Sequence, residues 1–206
     1  MEGCSINFRG TSGSGKTTIM RGIFKRGNFD RFVARQHFNP KPTKSGRERK
    51  PRDVYSYRGE VFGLPTIILG NYEPINGGCD TIPSVHLMAE LLTNFVAEGN
   101  VVLYESLLIS HGSKIIAEAI DHMGRQRNVM AFIDTPLILC LKRVQERRWA
   151  KGNHKEFNPA NTTKDHQSVA NCKLRVETQG YRTFSIDHRN AQEEANAIIQ
   201  QVAHEQ

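Results

Sequence analysis

The chain has no long hydrophobic run. Its most apolar stretches, PTIILG and SLLI, fall far short of the roughly 20 residues that a membrane-spanning helix needs. Cysteine is scarce: Cys4, Cys79, Cys140 and Cys172 stand far apart with no C-x-x-C pair, which argues against a zinc site and against a disulfide framework. Three of them read as small buried residues, while Cys79 falls in a polar loop. The N-terminal stretch has no basic-then-apolar layout of a signal peptide, because a glycine-rich segment begins at residue 10, so a cytoplasmic location is expected. Acidic residues are in the minority, 21 against 28 Lys and Arg, for a net charge of +7.

What is present is an ordinary soluble composition, 38% hydrophobic and 24% charged, in 206 residues. That length suits one α/β domain with a proper core and is short for two. The positive charge is unevenly spread. Between Lys41 and Arg52, in KPTKSGRERKPR, six of twelve residues are basic: Lys41, Lys44, Arg47, Arg49, Lys50 and Arg52. The stretch has no apolar periodicity and is rich in proline, so it reads as a long basic loop over residues 40–53. A solvated surface loop would explain it. A contact with a polyanion such as DNA would explain it too.

Strand and helix patterns alternate along the chain. CSINFRG reads as a first, buried strand, and TTIMRGIFKRG as a helix with Ile19, Met20, Ile23 and Phe24 on one face. RFVARQHF is a second strand, VYSYRGEVFG a candidate hairpin and PTIILG a short strand. A helix is expected from Pro83, with Val85, Met88, Ala89, Leu92, Phe95 and Val96 inward and Gly99 as its stop. NVVLYES follows as a strand, SKIIAEAIDHMG as a helix and NVMAFIDTP as a strand. PLILCLKRVQERRWAKG is a helix with Leu137, Leu141 and Val144 inward, and TKDHQSVANCKLRVETQ another. YRTFSID is the last strand, and NAQEEANAIIQQVA a final helix with a capping box from Asn190 and Glu193. This alternation predicts an α/β fold, a doubly wound parallel sheet with helices on both faces.

Residues 10–17, GTSGSGKT, fit G-x-x-x-x-G-K-[ST] between a strand and a helix. Gly10, Gly13 and Gly15 let the backbone curl so that N–H groups from Thr11, Ser12, Ser14 and their neighbours through Thr18 converge on phosphate oxygens at the positive end of a helix dipole. In this arrangement Lys16 reaches the terminal phosphates of ATP and the Thr17 hydroxyl ligates Mg²⁺. No N-K-x-D tetrapeptide is present, which argues against a GTPase, and little chain remains for the second domain of an ATP-driven motor. On the helix after FIDTP, Arg143, Arg147 and Lys151 recur at four-residue spacing, with Arg148 beside them. They read either as a solvated face paired through Glu146 or as an arm that closes arginines over phosphates.

With the strand ending in Glu105 and the terminal strand–helix pair, these features resemble the P-loop kinases that act on nucleosides, nucleotides and polynucleotides. The resemblance implies a single kinase domain over residues 1–206 with a core of about five parallel strands, and an arginine-bearing lid over about 143–162. It further implies transfer from ATP with Mg²⁺, the metal being held by Thr17 and by Glu105 through water. A kinase acting on an alcohol gains from a carboxylate base. Glu73, Asp80, Glu105, Asp134 and Asp187 are the candidates. Asp80 follows Gly77, Gly78 and Cys79, where flexible backbone lets a ligand come close; capping of the next helix is its plainer role. Glu105 alternatively pairs with a lysine, and Asp134 caps a turn.

The segment GNYEPINGGCDTI, with PTIIL before it, is similar to the acceptor loop of bacteriophage kinases that phosphorylate 5-hydroxymethyluracil in DNA. That resemblance implies DNA as the acceptor, with the basic loop on its backbone and Tyr72, alongside Tyr55 and Tyr57, available to stack a base. Packing is the commoner role of strand tyrosines. Two other functions stay open on the residues alone: a kinase for a small nucleoside or nucleotide, and a non-catalytic ATP-dependent DNA-binding module.

Overall fold

In the computed structural model the described residues are 2–37, 50–73, 77–106, 112–155 and 157–205. Strand β1 (Cys4–Arg9) is buried along its whole length inside a seven-stranded sheet of order β2-β3-β4-β5-β1-β6-β7. The other strands are β2 (Asn28–His37), β3 (Arg52–Val61), β4 (Leu64–Leu69), β5 (Val101–Ser106), β6 (Asn128–Asp134) and β7 (Thr183–Asp187). Strands β4, β5, β1, β6 and β7 are mutually parallel, while β2 and β3 add an antiparallel extension at one edge. The parallel core thus has five strands, and the antiparallel pair brings the whole sheet to seven against the expected five. No helix lies between β3 and β4, so they join as a hairpin, which needs no crossover.

The turn of that hairpin corrects a boundary. The run expected to contain a hairpin is one strand, and the chain reverses at Phe62-Gly63, both at positive φ (55° and 74°). A two-residue turn with this twist matches the twist of the flanking strands. Phe62 adopts an unfavourable conformation for a bulky residue but packs its side chain on the core.

Among the described residues six α-helices connect and cover the strands: α1 (Lys16–Phe24), α2 (Val85–Ala97), α3 (Gly112–Met123), α4 (Leu137–Ala150), α5 (Ala160–Thr178) and α6 (Ala191–His204). Alternate strand residues face opposite layers. Ile6, Phe8, Leu103 and Ala131 pack with Ile19 and Ile23 of α1 and Ile198 and Ile199 of α6. Val102, Tyr104, Met130 and Phe132 pack with Leu92 of α2, Ile120 of α3 and Val176 of α5. The central strands are thus buried on both faces, as a parallel sheet requires.

Two helix starts differ from expectation. Helix α2 is capped by Ser84, whose hydroxyl accepts from the Leu87 N–H at 3.1 Å, so it begins at Val85. At α6 the Asn190 side chain makes no cap bond; Glu194 reaches back instead and accepts from the Asp187 N–H at 2.7 Å. Helix α4 buries Cys140 and Val144, with Leu137 and Leu141 only half-buried. No helix among the described residues is long and apolar enough to cross a membrane.

Candidate active site

The C-terminal end of β1 runs into Gly10, and the turn to α1 is built on close contacts. Gly13 and Gly15 sit at positive φ (81° and 109°) around Ser14, an alternation that turns neighbouring N–H groups into one concavity. A Cβ on Gly13 would lie 2.5 Å from the Cys140 carbonyl oxygen, so only glycine lets α4 approach the loop. Thr135 donates from Oγ1 to the Ser14 carbonyl at 2.9 Å, and Arg143 donates from Nη1 to the Gly13 carbonyl at 3.1 Å. The loop is therefore braced from outside by the β6–α4 junction.

Lys16, the first residue of α1, is buried, and its ammonium donates to the carbonyls of Gly10 (2.6 Å) and Thr11 (3.0 Å). Burial lowers its pKa, opposed by the negative charges of Glu105 and Asp80. Glu105 lies at the end of β5, the strand beside β1, and is almost fully buried. It accepts from the Thr17 hydroxyl at 3.2 Å. Desolvation raises its pKa, Lys16 and the Thr17 hydrogen bond pull it down, and Asp80 adds a like charge. Asp80 occupies a 3-10 turn at Cys79–Thr81 and is exposed; burial of part of its surface raises its pKa and Lys16 lowers it. The role of α2 cap belongs to Ser84 instead.

Of the remaining carboxylates, Glu73 is ion-paired with Arg31, and Asp187 is held down to about 2 by the Arg189 guanidinium. Asp134 is exposed at the end of β6. Only Asp80 and Glu105 both face the lysine.

These groups line a cleft of about 990 Å³. Its outer wall is α4, through Arg143, Glu146, Arg147 and Arg148, with Lys151 just beyond; its far end is His188, Ala191 and Gln192 in the turn from β7 into α6. Arg147 is exposed, and its charge is felt at Lys16. Arg148 lines the cleft with its guanidinium 5.6 Å from the centre of the Phe157 ring. The cleft thus combines a glycine-lined loop, a buried lysine, two carboxylates and cations on a helix: groups suited to a polyphosphate and to a proton acceptor beside it.

The chain is 37% identical to the 5-hmdU DNA kinase of Pseudomonas phage PaMx11 over 188 residues, which cover 90% of this chain and 92% of that protein. The chain belongs to the phage 5-hmdU DNA kinase family. A second member, the 5-hmdU DNA kinase of Pseudomonas phage M6, is 26% identical over 202 residues, 95% of this chain and 97% of its own. No protein-family model matches the chain.

In this kinase the residues expected to meet an acceptor separate into two groups. Gly77 and Asp80 line the cleft. Cys79 does not: its thiol is buried in the α2-side core, directed at the Leu69 carbonyl at 3.4 Å, and burial pushes its pKa up. Tyr72 is also core, edge-on to Phe24 at 5.4 Å, with its hydroxyl beside Glu105, so it offers no ring face to a base. Tyr57 is likewise packed on Phe24, and Arg31 covers the Tyr55 ring at 3.7 Å. Gly78 earns its place through Glu105: a Cβ there would stand 2.1 Å from Oε1. Of the basic run, Lys41, Lys44, Arg47 and Arg49 lie outside the described residues, while Lys50 and Arg52 are exposed.

His188, Ala191 and Gln192 escape the sequence reading. The available signal is topological: in a doubly wound sheet, ligands sit beyond the carboxyl ends of the strands, and HRNAQ follows the carboxyl end of β7.

Proposed function

We propose that the protein transfers the γ-phosphoryl group of ATP to the hydroxymethyl oxygen of 5-hydroxymethyluracil in DNA. The observation that carries this reading is the convergence of Asp80 and Glu105 on Lys16 in a chain whose relatives bear that name. Residues Gly10–Thr18 cradle the triphosphate, and Lys16 turns from the loop carbonyls to the terminal phosphates. The hydroxyl of Thr17 and the carboxylate of Glu105, two oxygen donors in contact beside the loop, fit Mg²⁺, which takes one or two protein oxygens and completes its shell with phosphate and water. Bound there, Mg²⁺ neutralises phosphate charge.

Because Glu105 is buried against Thr17, the exposed Asp80 is the carboxylate an incoming hydroxyl meets, and it accepts that proton as the new P–O bond forms. The bond from the γ-phosphorus to the bridging oxygen breaks, with ADP as the leaving group. Arg147 and Arg143 offset charge on the transferring group, and α4 with the first turn of α5 acts as the lid.

Strand direction supports a DNA acceptor. Strand β2 runs parallel to β1 in sense, so its end at His37, paired with Arg52, lies at the same edge as Gly10 and Glu105. The last described residue of β2, His37, and the first of β3, Arg52, therefore both stand at the end of the sheet that carries the cleft. Labelled ATP offered with a hydroxymethyluracil oligonucleotide, with the free nucleoside and with water alone tests the reading. Label in the oligonucleotide is the expected result. Label confined to the nucleoside points to a small-molecule kinase, and release as free phosphate alone rejects both.

A further inference from the structure

Tyr72, in the loop after β4, is buried, and its hydroxyl has no hydrogen-bond partner among the described residues. Buried hydroxyls are rarely left so, because each has given up its bonds to water. The ring is held without help from that hydroxyl. It stands edge-on to Phe24 at 5.4 Å, and the Tyr72 N–H donates to the Tyr57 hydroxyl at 3.2 Å. The polar groups around the phenol are Glu105, Cys79 and Asp80. The Cys79 thiol is directed at the Leu69 carbonyl, and Asp80 is exposed at the cleft. Glu105 is the acceptor that remains. Of its two oxygens, Oε2 lies nearer the Thr17 hydroxyl, at 3.2 Å against 3.5 Å for Oε1. Oε1 faces the loop instead: a Cβ on Gly78 would stand 2.1 Å from it and 3.4 Å from Tyr72 Cε1. The phenol ring and this oxygen thus flank the same glycine.

We propose that Tyr72 is a positioning residue: with nucleotide and metal bound, its hydroxyl donates to Oε1 of Glu105 and, opposite Thr17, fixes the plane of that carboxylate. The inference rests on the reading of Thr17 and Glu105 as the Mg²⁺ pair and adds what aims Glu105. A phenol keeps its proton at neutral pH, so it meets the carboxylate as a donor. Held by one donor, a carboxylate swings about its last bond; held by two on separate elements, it is fixed. Outer hydrogen bonds of this kind orient metal ligands and tune metal affinity.

Tyr72→Phe keeps the packed ring and removes only the hydroxyl. Without ligands it is expected to melt at or above the parent, since no hydrogen bond is lost. Mn²⁺ binding is then followed by electron paramagnetic resonance with a non-hydrolysable ATP analogue and no DNA. The metal is expected to bind the Tyr72→Phe complex roughly 10- to 100-fold more weakly than the parent complex. Adding Tyr72→Phe to Glu105→Gln is expected to cost no further affinity, because the phenol acts only through that carboxylate. Parent-like Mn²⁺ affinity in folded Tyr72→Phe overturns the proposal. So do additive losses in the double variant, which place the effect of the phenol elsewhere. Should Tyr72→Phe not fold, the tyrosine Raman doublet of the parent decides. The analogue with Mg²⁺ is expected to shift it toward a phenol donating to a strong acceptor, and an unchanged doublet overturns the proposal. A parent that binds Mn²⁺ but phosphorylates no DNA loses the DNA reading and leaves this test intact. One that binds no Mn²⁺ beside the nucleotide loses the metal reading, and the proposal with it.

Discussion

The Thr17 hydroxyl donates to the Glu105 carboxylate across 3.2 Å, tying the start of α1 to the end of β5. If the pair holds Mg²⁺, Glu105→Gln should raise the metal concentration for half-maximal activity by about 10- to 100-fold. A stability effect of opposite sign should accompany it. The folded-state pKa of Glu105 is raised, so its ionised form is less favourable folded than unfolded. The carboxyl therefore contributes stability at low pH, lost as pH rises through the folded pKa. Near neutral pH the Gln variant should melt higher than the parent, and the gap should close on acidification. Each kcal/mol recovered is worth roughly 2–4 °C at this length. Metal titrations and melting curves over pH check both.

Gly78→Ala should damage the same carboxylate from the other side. The new Cβ would lie 2.1 Å from Glu105 Oε1, at a φ of 103°. Gly152 shares the positive φ (73°) with nothing within 4 Å, so Gly152→Ala carries the backbone strain alone. Turnover should fall by at least about 10-fold more in the first variant than in the second, since small displacements of reacting groups cost rate steeply. Equal losses in the two would mean that the Glu105 contact is unimportant.

Asp80→Asn should lower kcat by roughly 10²- to 10⁴-fold with little change in nucleotide affinity. A pH profile adds a second reading. Burial lifts the Asp80 pKa above its ordinary value of 3.8, and the base must be ionised. The acid limb of the parent's rate should therefore fall above that value and be lost in the Asn variant. A variant that keeps the limb moves the role of base to Glu105.

How much of this was open to inspection in the sequence depends on how local each signal is. The loop from Gly10 to Thr18 and the strand ending at Glu105 are written in consecutive residues, and a parallel sheet brings their ends together. Cys79 and Asp80 are neighbours with opposite surroundings, thiol in the core and carboxylate at the cleft, because a single 3-10 turn points them apart. Spacing carries no trace of that. Tyr72 looks like a surface aromatic in GNYEP, and only Phe24 and Tyr57, each far away in sequence, make it core. Arg148 lines the cleft with the expected cationic group, but its contact with Phe157, beyond the helix end, is not written in that spacing. The added strands β2 and β3 also depend on pairing across a long connection.

Among the lid cations, Arg147 and Arg143 should fail differently. Arg147 faces the cleft and is felt by Lys16, so Arg147→Ala should lower kcat at saturating ATP by up to about three decades. Arg143 braces Gly13, so its loss should fall more on KM for ATP. Small and equal losses at both positions would return the helix to a solvated face.

The central claim is the site of phosphorylation, and one product analysis addresses it directly. An oligonucleotide with a blocked 5′ end and one 5-hydroxymethyluracil is treated with ATP and the protein, digested to nucleosides and examined by mass spectrometry. The account predicts one phosphate on the hydroxymethyl nucleoside and none when thymine replaces that base. Unmodified hydroxymethyluracil in the digest, while a free nucleoside is phosphorylated efficiently under the same conditions, would contradict it.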